Sequence, residues 1–312
     1  MSLPPDLAAA MARLMDGVSR KDLAGRVEKL SAIYRAGGTS AGIAEAADAL
    51  AYLAARLPAT FAATRAAMAR AAQVAPDFAP RSLIDMGAGP GTAAHAAADV
   101  WPSLTDFRLI DGNARMRALA RQLAAGRLSD ARIEAGDIAA TQGEADLVTA
   151  AYLFAELPEG AAAAAALRLW RMARGMLILV EPGTPAGFAR LRAARAALIE
   201  AGAHVLAPCT HDRACPMAGA DWCHFSERLP RSRDHMQTKR ASVPFEDERY
   251  AYLAVTREPL ASGARILRPP AESKPGFAFT LCDADGLRQA FVARRDRDAF
   301  RRVRRLGWGD VF

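Results

Sequence analysis

The sequence predicts an α/β fold: a parallel sheet with helices on both faces, preceded by a helical segment and followed by a cysteine-rich extension. Three observations carry this expectation. Between residues 79 and 200 short apolar runs alternate with helical stretches, the pattern of βαβ units. Residues 1–78 show helical periodicity and no strand pattern. All four cysteines fall between residues 209 and 282. A chain of 312 residues is long enough for two or three units, here a helical unit at 1–78, an α/β unit at 79–200 and a cysteine-rich, basic region at 201–312.

In the first unit Ile43, Ala46, Ala47, Leu50, Leu53 and Leu57 recur mostly at intervals of three and four, the apolar face of a helix. Ser40 is a plausible N-cap, and Pro58 reads as a stop, with the next helix over 60–73. This unit shows no chemistry of its own and is expected to cover a ligand pocket or offer a partner surface. In the second unit strands are expected over 82–86, 107–111, 131–134, 145–150 and 176–181, with helices over 92–100, 116–125 and 161–174. After residue 202 a Cys/His-rich loop runs to about 245. Four β-like runs follow, over 250–256, 264–267, 277–281 and 287–293, then a basic helix over 296–305.

The turn Asp85-Met86-Gly87-Ala88-Gly89-Pro90-Gly91 closes the first strand and opens a helix. Glycines there permit a tight turn and a close backbone approach to a ligand. Asp111 ends the second strand, where a carboxylate can accept hydrogen bonds from ribose hydroxyls. Asp137 and Ile138 follow the third. These residues resemble the motifs of class I S-adenosylmethionine-dependent methyltransferases and imply a Rossmann-like sheet. By that resemblance Asp85, Gly87, Gly89 and Gly91 hold the methionine moiety, Asp111 the ribose, and Asp137 with Ile138 the adenine. After the fourth strand the chain reads Ala150-Ala151-Tyr152-Leu153-Phe154-Ala155-Glu156-Leu157. The Asn/Asp-Pro-Pro-aromatic motif that positions an amine for methylation is missing, and no cysteine stands at a nucleophile position. Tyr152 and Glu156 are the residues placed to line an acceptor site, although a packed tyrosine and an exposed glutamate are the plainer expectation.

Net charge is +7. Residues 201–312 hold 19 Lys and Arg against 14 Asp and Glu, and residues 288–305 hold eight Arg against Asp296 and Asp298. Such a balance suits an anionic partner such as nucleic acid, or else a solvated helix face. No stretch offers ~20 uncharged apolar residues, so no membrane span is expected. The first residues lack a basic flank followed by an apolar run, and a cytoplasmic setting is expected.

Cys209, Cys215 and Cys223 lie within 15 positions, and Cys282 follows after 58 intervening residues. In a reducing compartment disulfides are disfavoured. Four thiolates can ligate Zn²⁺ or an Fe–S cluster. Zinc sites usually carry tight Cys-x2-4-Cys knuckles, absent here, and the wide spacing fits a [4Fe–4S] cluster better. Zinc, mixed ligation with His204, His211, His224 or His235, and unliganded buried thiols remain the alternatives. Pro216 follows Cys215, the pair found at one ferredoxin ligand.

The segments Pro208-Cys209-Thr210-His211-Asp212, Cys215-Pro216-Met217-Ala218-Gly219, Asp221-Trp222-Cys223-His224-Phe225 and Arg228-Leu229-Pro230-Arg231-Ser232-Arg233 resemble the methyltransferase-like ribosomal small-subunit assembly factors. That family is named from a mitochondrial small-subunit protein and has bacterial relatives. Glu181-Pro182-Gly183-Thr184-Pro185-Ala186-Gly187-Phe188, Pro244-Phe245-Glu246-Asp247-Glu248 and Trp308-Gly309-Asp310 extend the match over most of the chain. The resemblance implies binding to small-subunit rRNA during assembly and a [4Fe–4S] cluster on Cys209, Cys215, Cys223 and Cys282. It leaves methyl transfer open. Three functions therefore compete: an RNA-binding assembly factor holding S-adenosylmethionine and a cluster, an active rRNA methyltransferase, and a small-molecule methyltransferase with a structural metal site. For the first two, phosphate contacts are expected from Arg228, Arg231, Arg233, Lys239 and Arg240, and from Arg301, Arg302, Arg304 and Arg305.

Overall fold

Alanine-rich segments lose little side-chain entropy in a helix, and the N-terminal unit is helical throughout. A computed structural model describes residues 3–35 and 37–312. Helices α1 (Pro5–Met15) and α2 (Arg20–Arg35) lead through a 3-10 turn, Ser40–Gly42, to the long α3 (Ala46–Val74). The cap of α3 differs from the sequence expectation. Asp48 accepts from the Glu45 amide at 3.0 Å in a capping box, and Arg26 salts both carboxylates. Ser40 stays outside the helix. Nor does Pro58 stop it. A proline deletes one i→i−4 bond, and burial of α3 along most of its length, against α2, β-strands and a further helix, outweighs that loss.

The central sheet begins with β1 (Ser82–Met86), β2 (Asp106–Asp111), β3 (Arg132–Ala135), β4 (Ala145–Ala151) and β5 (Ala173–Pro182), all parallel. Helices α4 (Thr92–Val100), α5 (Ala114–Leu123), α6 (Ala162–Met172) and α7 (Pro185–Glu200) connect and flank them. Here the expected pattern holds, with ends shifted by at most three residues. The sheet does not stop at residue 200. β6 (His204–Ala207), β7 (Phe225–Pro230) and β8 (Phe245–Thr256) belong to it, giving the order β3-β2-β1-β4-β5-β8-β6 with β7 also paired to β8. β8 is antiparallel to both β5 and β6, so the sheet is mixed rather than purely parallel. The physical reason is its sequence: Tyr250-Ala251-Tyr252-Leu253-Ala254-Val255 is buried on both faces and needs a strand on either side. The stretch expected as loop thus contains β6, β7 and a short helix, α8 (Arg233–Thr238).

The chain ends in a second, four-stranded sheet. It consists of β9 (Arg265–Ile266), β10 (Ala271–Glu272), β11 (Gly276–Asp283) and β12 (Gly286–Ala293). The expected basic helix is shorter, α9 (Arg297–Val303). Ile266, Phe279, Leu281 and Val303 form a small core between them. No helix among the described residues is long and apolar enough to cross a membrane.

Candidate nucleoside pocket and cysteine cavity

β1 leads outward to β2 and β3, whereas β4 lies on its other side. The crevice at such a switch point, beyond the carboxyl ends of the strands, is where α/β sheets bind ligands. A cavity of about 310 Å³ lies there, lined by Asp85, Gly87, Gly89, Pro90 and Tyr152. Asp85 is buried at the end of β1. Its Oδ1 accepts the Thr149 hydroxyl at 2.8 Å, while Oδ2 has no partner among the described residues. Burial pushes its carboxyl up to about 7, although the Thr149 hydroxyl and the Ala94 amide oppose the shift. Gly87 has φ +67°, and a Cβ there would lie 2.7 Å from Leu153 Cδ1. Left-handed backbone and close approach together require glycine. Gly91 is the left-handed cap that opens α4.

Asp111 joins this turn to β2. Its carboxylate accepts the Gly89 amide at 2.8 Å and the Asn113 amide at 2.7 Å. Burial raises its pKa against those two amides. Asp137 and Ile138 stand beyond the cavity lining. Asp137 is exposed and accepts the Ala140 amide at 2.7 Å, and Ile138 packs in the core around Phe154. The structure thus gathers Asp85, Gly87 and Gly89 about one cavity, with Asp111 and Gly91 attached through the turn.

Sequence reasoning did not find the opposite wall, which is Tyr52, Thr60 and Thr64 of α3. The available signal was three polar side chains, eight and four positions apart, on an otherwise alanine-rich helix. Tyr152 is one of two non-glycine residues with positive φ, at +60°, among the described residues. Its hydroxyl donates to Glu248 Oε1 at 3.2 Å, and Arg56 approaches the same oxygen at 3.4 Å. Glu156 is partly buried and accepts the Ser40 amide at 3.0 Å and hydroxyl at 2.7 Å. Asn113 Nδ2 donates to the Ser40 carbonyl at 2.7 Å. The 3-10 turn is therefore pinned across the tips of β2 and β4.

The second site is built from distant parts of the chain. Cys209 follows β6, Cys215 lies in the next loop, Cys223 precedes β7, and Cys282 is on β11. All four are free thiols and line one cavity of about 580 Å³. Burial pushes the Cys282 thiol up to about 12 and raises Cys209 and Cys223, with neighbouring thiols adding to each effect. His211 Nε2 lies 3.8 Å from Cys282 Sγ. The other three candidate histidines are engaged elsewhere: His204 with Asp212 at 2.8 Å, His224 with Trp222 and Trp308, and His235 with Glu246 at 3.1 Å.

Buried Arg195 lines this cavity, and buried Arg265 lies behind it, its Nε donating to the Pro208 carbonyl at 3.3 Å. Arg195 donates to the His211 carbonyl at 2.6 Å, and Arg265 donates to the Gly309 carbonyl at 2.9 Å. Arg195 Nε and Arg265 Nη2 have no partner among the described residues. Buried cations beside neutral thiols are costly unless negative charge faces them. A cluster carried by four thiolates is net negative, and the donor set fits it on that ground. No group of three or more His, Cys, Asp or Glu among the described residues is arranged to hold a single metal ion.

Several of the arginines expected to meet phosphate have protein partners. Arg228 forms a two-pronged pair with Asp247 and stacks on Phe245. Arg231 and Lys239 converge on Glu246 beside buried His235, and Arg240 pairs with Glu28 at 2.7 Å. Arg301 lies 3.7 Å from Asp298. Arg233, Arg302, Arg304 and Arg305 are exposed, with no partner among the described residues.

The family model described as mitochondrial small ribosomal subunit Rsm22 matches residues 46–312. The chain belongs to that family. Human ribosome assembly protein METTL17, mitochondrial, is 28% identical over 292 residues, an overlap covering 84% of this chain and 62% of the human protein. Rsm22-cox11 tandem protein 2, mitochondrial, of Schizosaccharomyces pombe is 28% identical over 44% of the chain. The chain thus spans 62% and 24% of the lengths of these two Rsm22 relatives. Among solved structures, magnesium protoporphyrin IX methyltransferase from Synechocystis PCC 6803 is similar at 17% identity and TM-score 0.40, over 62% of this chain and 79% of that one.

Proposed function

We propose that this Rsm22-family chain is a small-subunit rRNA-binding assembly factor that holds S-adenosylmethionine at the β1–β4 crevice and a [4Fe–4S] cluster on Cys209, Cys215, Cys223 and Cys282. The observation that carries the reading is the convergence on one cavity of four thiols, three from the loop between β6 and β7 and one from β11, with buried Arg195 in its lining and buried Arg265 behind Pro208. Those four cysteines would hold the cluster, whose chemistry there is electron storage and cross-linking of the chain. Arg195 and Arg265 balance its negative charge. A single zinc ion needs its donors in one small shell, which makes zinc the second choice. Within the nucleoside pocket, Asp85 and the glycine turn would take the methionine end of the ligand and Asp111 the ribose. Asp137 and Ile138 remain the candidates for the adenine, placed farther along the same edge.

Methyl transfer is the weaker reading. α3 walls the pocket with Tyr52, Thr60 and Thr64, and Tyr152 is engaged by Glu248. Tyr152, one of the two residues placed to line an acceptor site, is thus held by the protein's own Glu248. The small subunit as partner rests on the family and its relatives' names, supported by the exposed arginines. Anaerobic purification tests the metal assignment. It should give brown protein with about four irons per chain, and Cys209→Ser should bleach it. Stoichiometric zinc in colourless anaerobic protein would overturn the assignment.

A further inference from the structure

β11 and β12 pair antiparallel from Gly276↔Ala293 to Asp283↔Gly286, and directly opposed residues share a face. One face carries Phe277, Phe279, Leu281, Ala290 and Val292 and packs on Ile266 and Val303. The other carries Leu287, Gln289 and Phe291 of β12, opposite Cys282, Thr280 and Ala278. It is open. Phe291 is 55% exposed and Leu287 44%, and Phe291 is the most exposed large hydrophobic among the described residues. The Phe291 ring leans over Gly276, where a Cβ would come within 2.9 Å of its Cζ. Thr280 and Gln289 bond to each other at 3.2 Å on the same face.

The end of this face nearest Phe291 is cationic. The Arg294 amide donates to the Pro275 carbonyl at 2.7 Å, which brings the β10–β11 turn beside the end of β12. Lys274 and Arg295 lie at that end, whereas Arg294 turns to the packed face, over the Phe300 ring. The nearby acids are Glu272, which pairs with Arg294, Asp296, which caps α9, and Asp298, which lies 3.7 Å from Arg301. Lys274, Arg295 and Arg297 are exposed, with no partner among the described residues. The opposite end of the face reaches the cysteine cavity through Leu287.

An aromatic ring left in water beside unpaired cations matches single-stranded nucleic acid. A base stacks on the ring while its phosphates meet the cations. A duplex hides its base faces, and an acidic peptide needs no ring. We infer that the open face of β12 is a stacking platform for single-stranded RNA, with Phe291 under a base and Lys274 and Arg295 on the backbone. The inference rests on the RNA-binding reading above and assigns it a surface.

Fluorescence anisotropy of the full chain with a short labelled oligouridine, alone and annealed to its complement, tests it. The single strand should bind more tightly than the duplex. Phe291→Ala should weaken the single strand about tenfold with the salt slope unchanged, and Phe291→Tyr should restore binding. Lys274→Ala with Arg295→Ala should instead flatten the slope by roughly one unit. An exposed ring can be removed with little loss of fold, and an unchanged melting temperature checks that. Wild-type affinity in Phe291→Ala, or equal binding of strand and duplex, overturns the platform. No RNA binding by the wild-type chain overturns the RNA reading itself.

Discussion

Asp85 carries the sharpest consequence at the scale of one residue. Its carboxyl titrates at about 7 in the fold because it is buried. An acid whose folded pKa lies above its unfolded one binds more protons when folded, so its contribution to stability falls as pH rises from about 4 to about 7. A ligand ammonium at Asp85 Oδ2 reverses the preference by favouring the ionised form. S-adenosylmethionine affinity should therefore rise as pH passes through about 7, and Asp85→Asn should bind weakly with a flat profile. Calorimetry across that range decides, and a flat wild-type profile would remove Asp85 from the ammonium contact. Gly87 offers a steric counterpart. Gly87→Ala forces a side chain into left-handed backbone, at about 1–2 kcal/mol, and into Leu153. The expected result is a lower melting temperature and lost ligand binding. Both positions were legible in the sequence because a strand, a glycine turn and a helix are contiguous. Tyr52, Thr64, Arg195 and Arg265 were not, because each meets its site only after chain segments far apart in sequence fold together.

At the scale of elements, α3 and β8 show what local pattern leaves out. Pro58 reads as a helix stop, yet α3 runs through it because the flanking turns are buried against α4, β7 and β8. Tertiary packing outweighs one missing hydrogen bond and the propensity cost of proline. Pro58→Ala should stabilise the chain, by at most about 3 kcal/mol. Thermal unfolding checks this, and a lower melting temperature would mean that proline is needed for the helix's path over the pocket. β8 was visible as an apolar run, but not as the antiparallel partner of β5, since strand order is a long-range property. The loop reading of 202–245 failed for a related reason. β6 spans four residues and β7 six; β6 is too short, and β7 too polar, to stand out before pairing with β8. Arg231 and Lys239 belong to this scale too. Burial works to raise the Glu246 carboxyl, but His235 and Lys239 hold it at about 2. Glu246 thus anchors α8 to β8, a structural role that charge counting alone assigns to phosphate binding.

In the proposed reading of the whole molecule, the cluster ties the two sheets together and so presents the RNA-binding face. Cys209 and Cys223 flank the loop that joins β6 to β7 of the central sheet, and Cys282 is on β11 of the small sheet, while Arg265 reaches the Pro208 carbonyl at 3.3 Å and that of Gly309. Loss of a metal centre often loosens the segments it joins. The cysteines do not need to touch RNA for their loss to weaken its binding. The direct measurement is a salt titration of small-subunit rRNA fragments against the anaerobically purified chain and its Cys209→Ser variant. The account predicts tight binding by the cluster-loaded chain, with a log–log slope of roughly −0.7 per phosphate contacted on single strands. It predicts weaker binding and a shallower slope for the variant. Equal affinity and equal slope in the two proteins would contradict it.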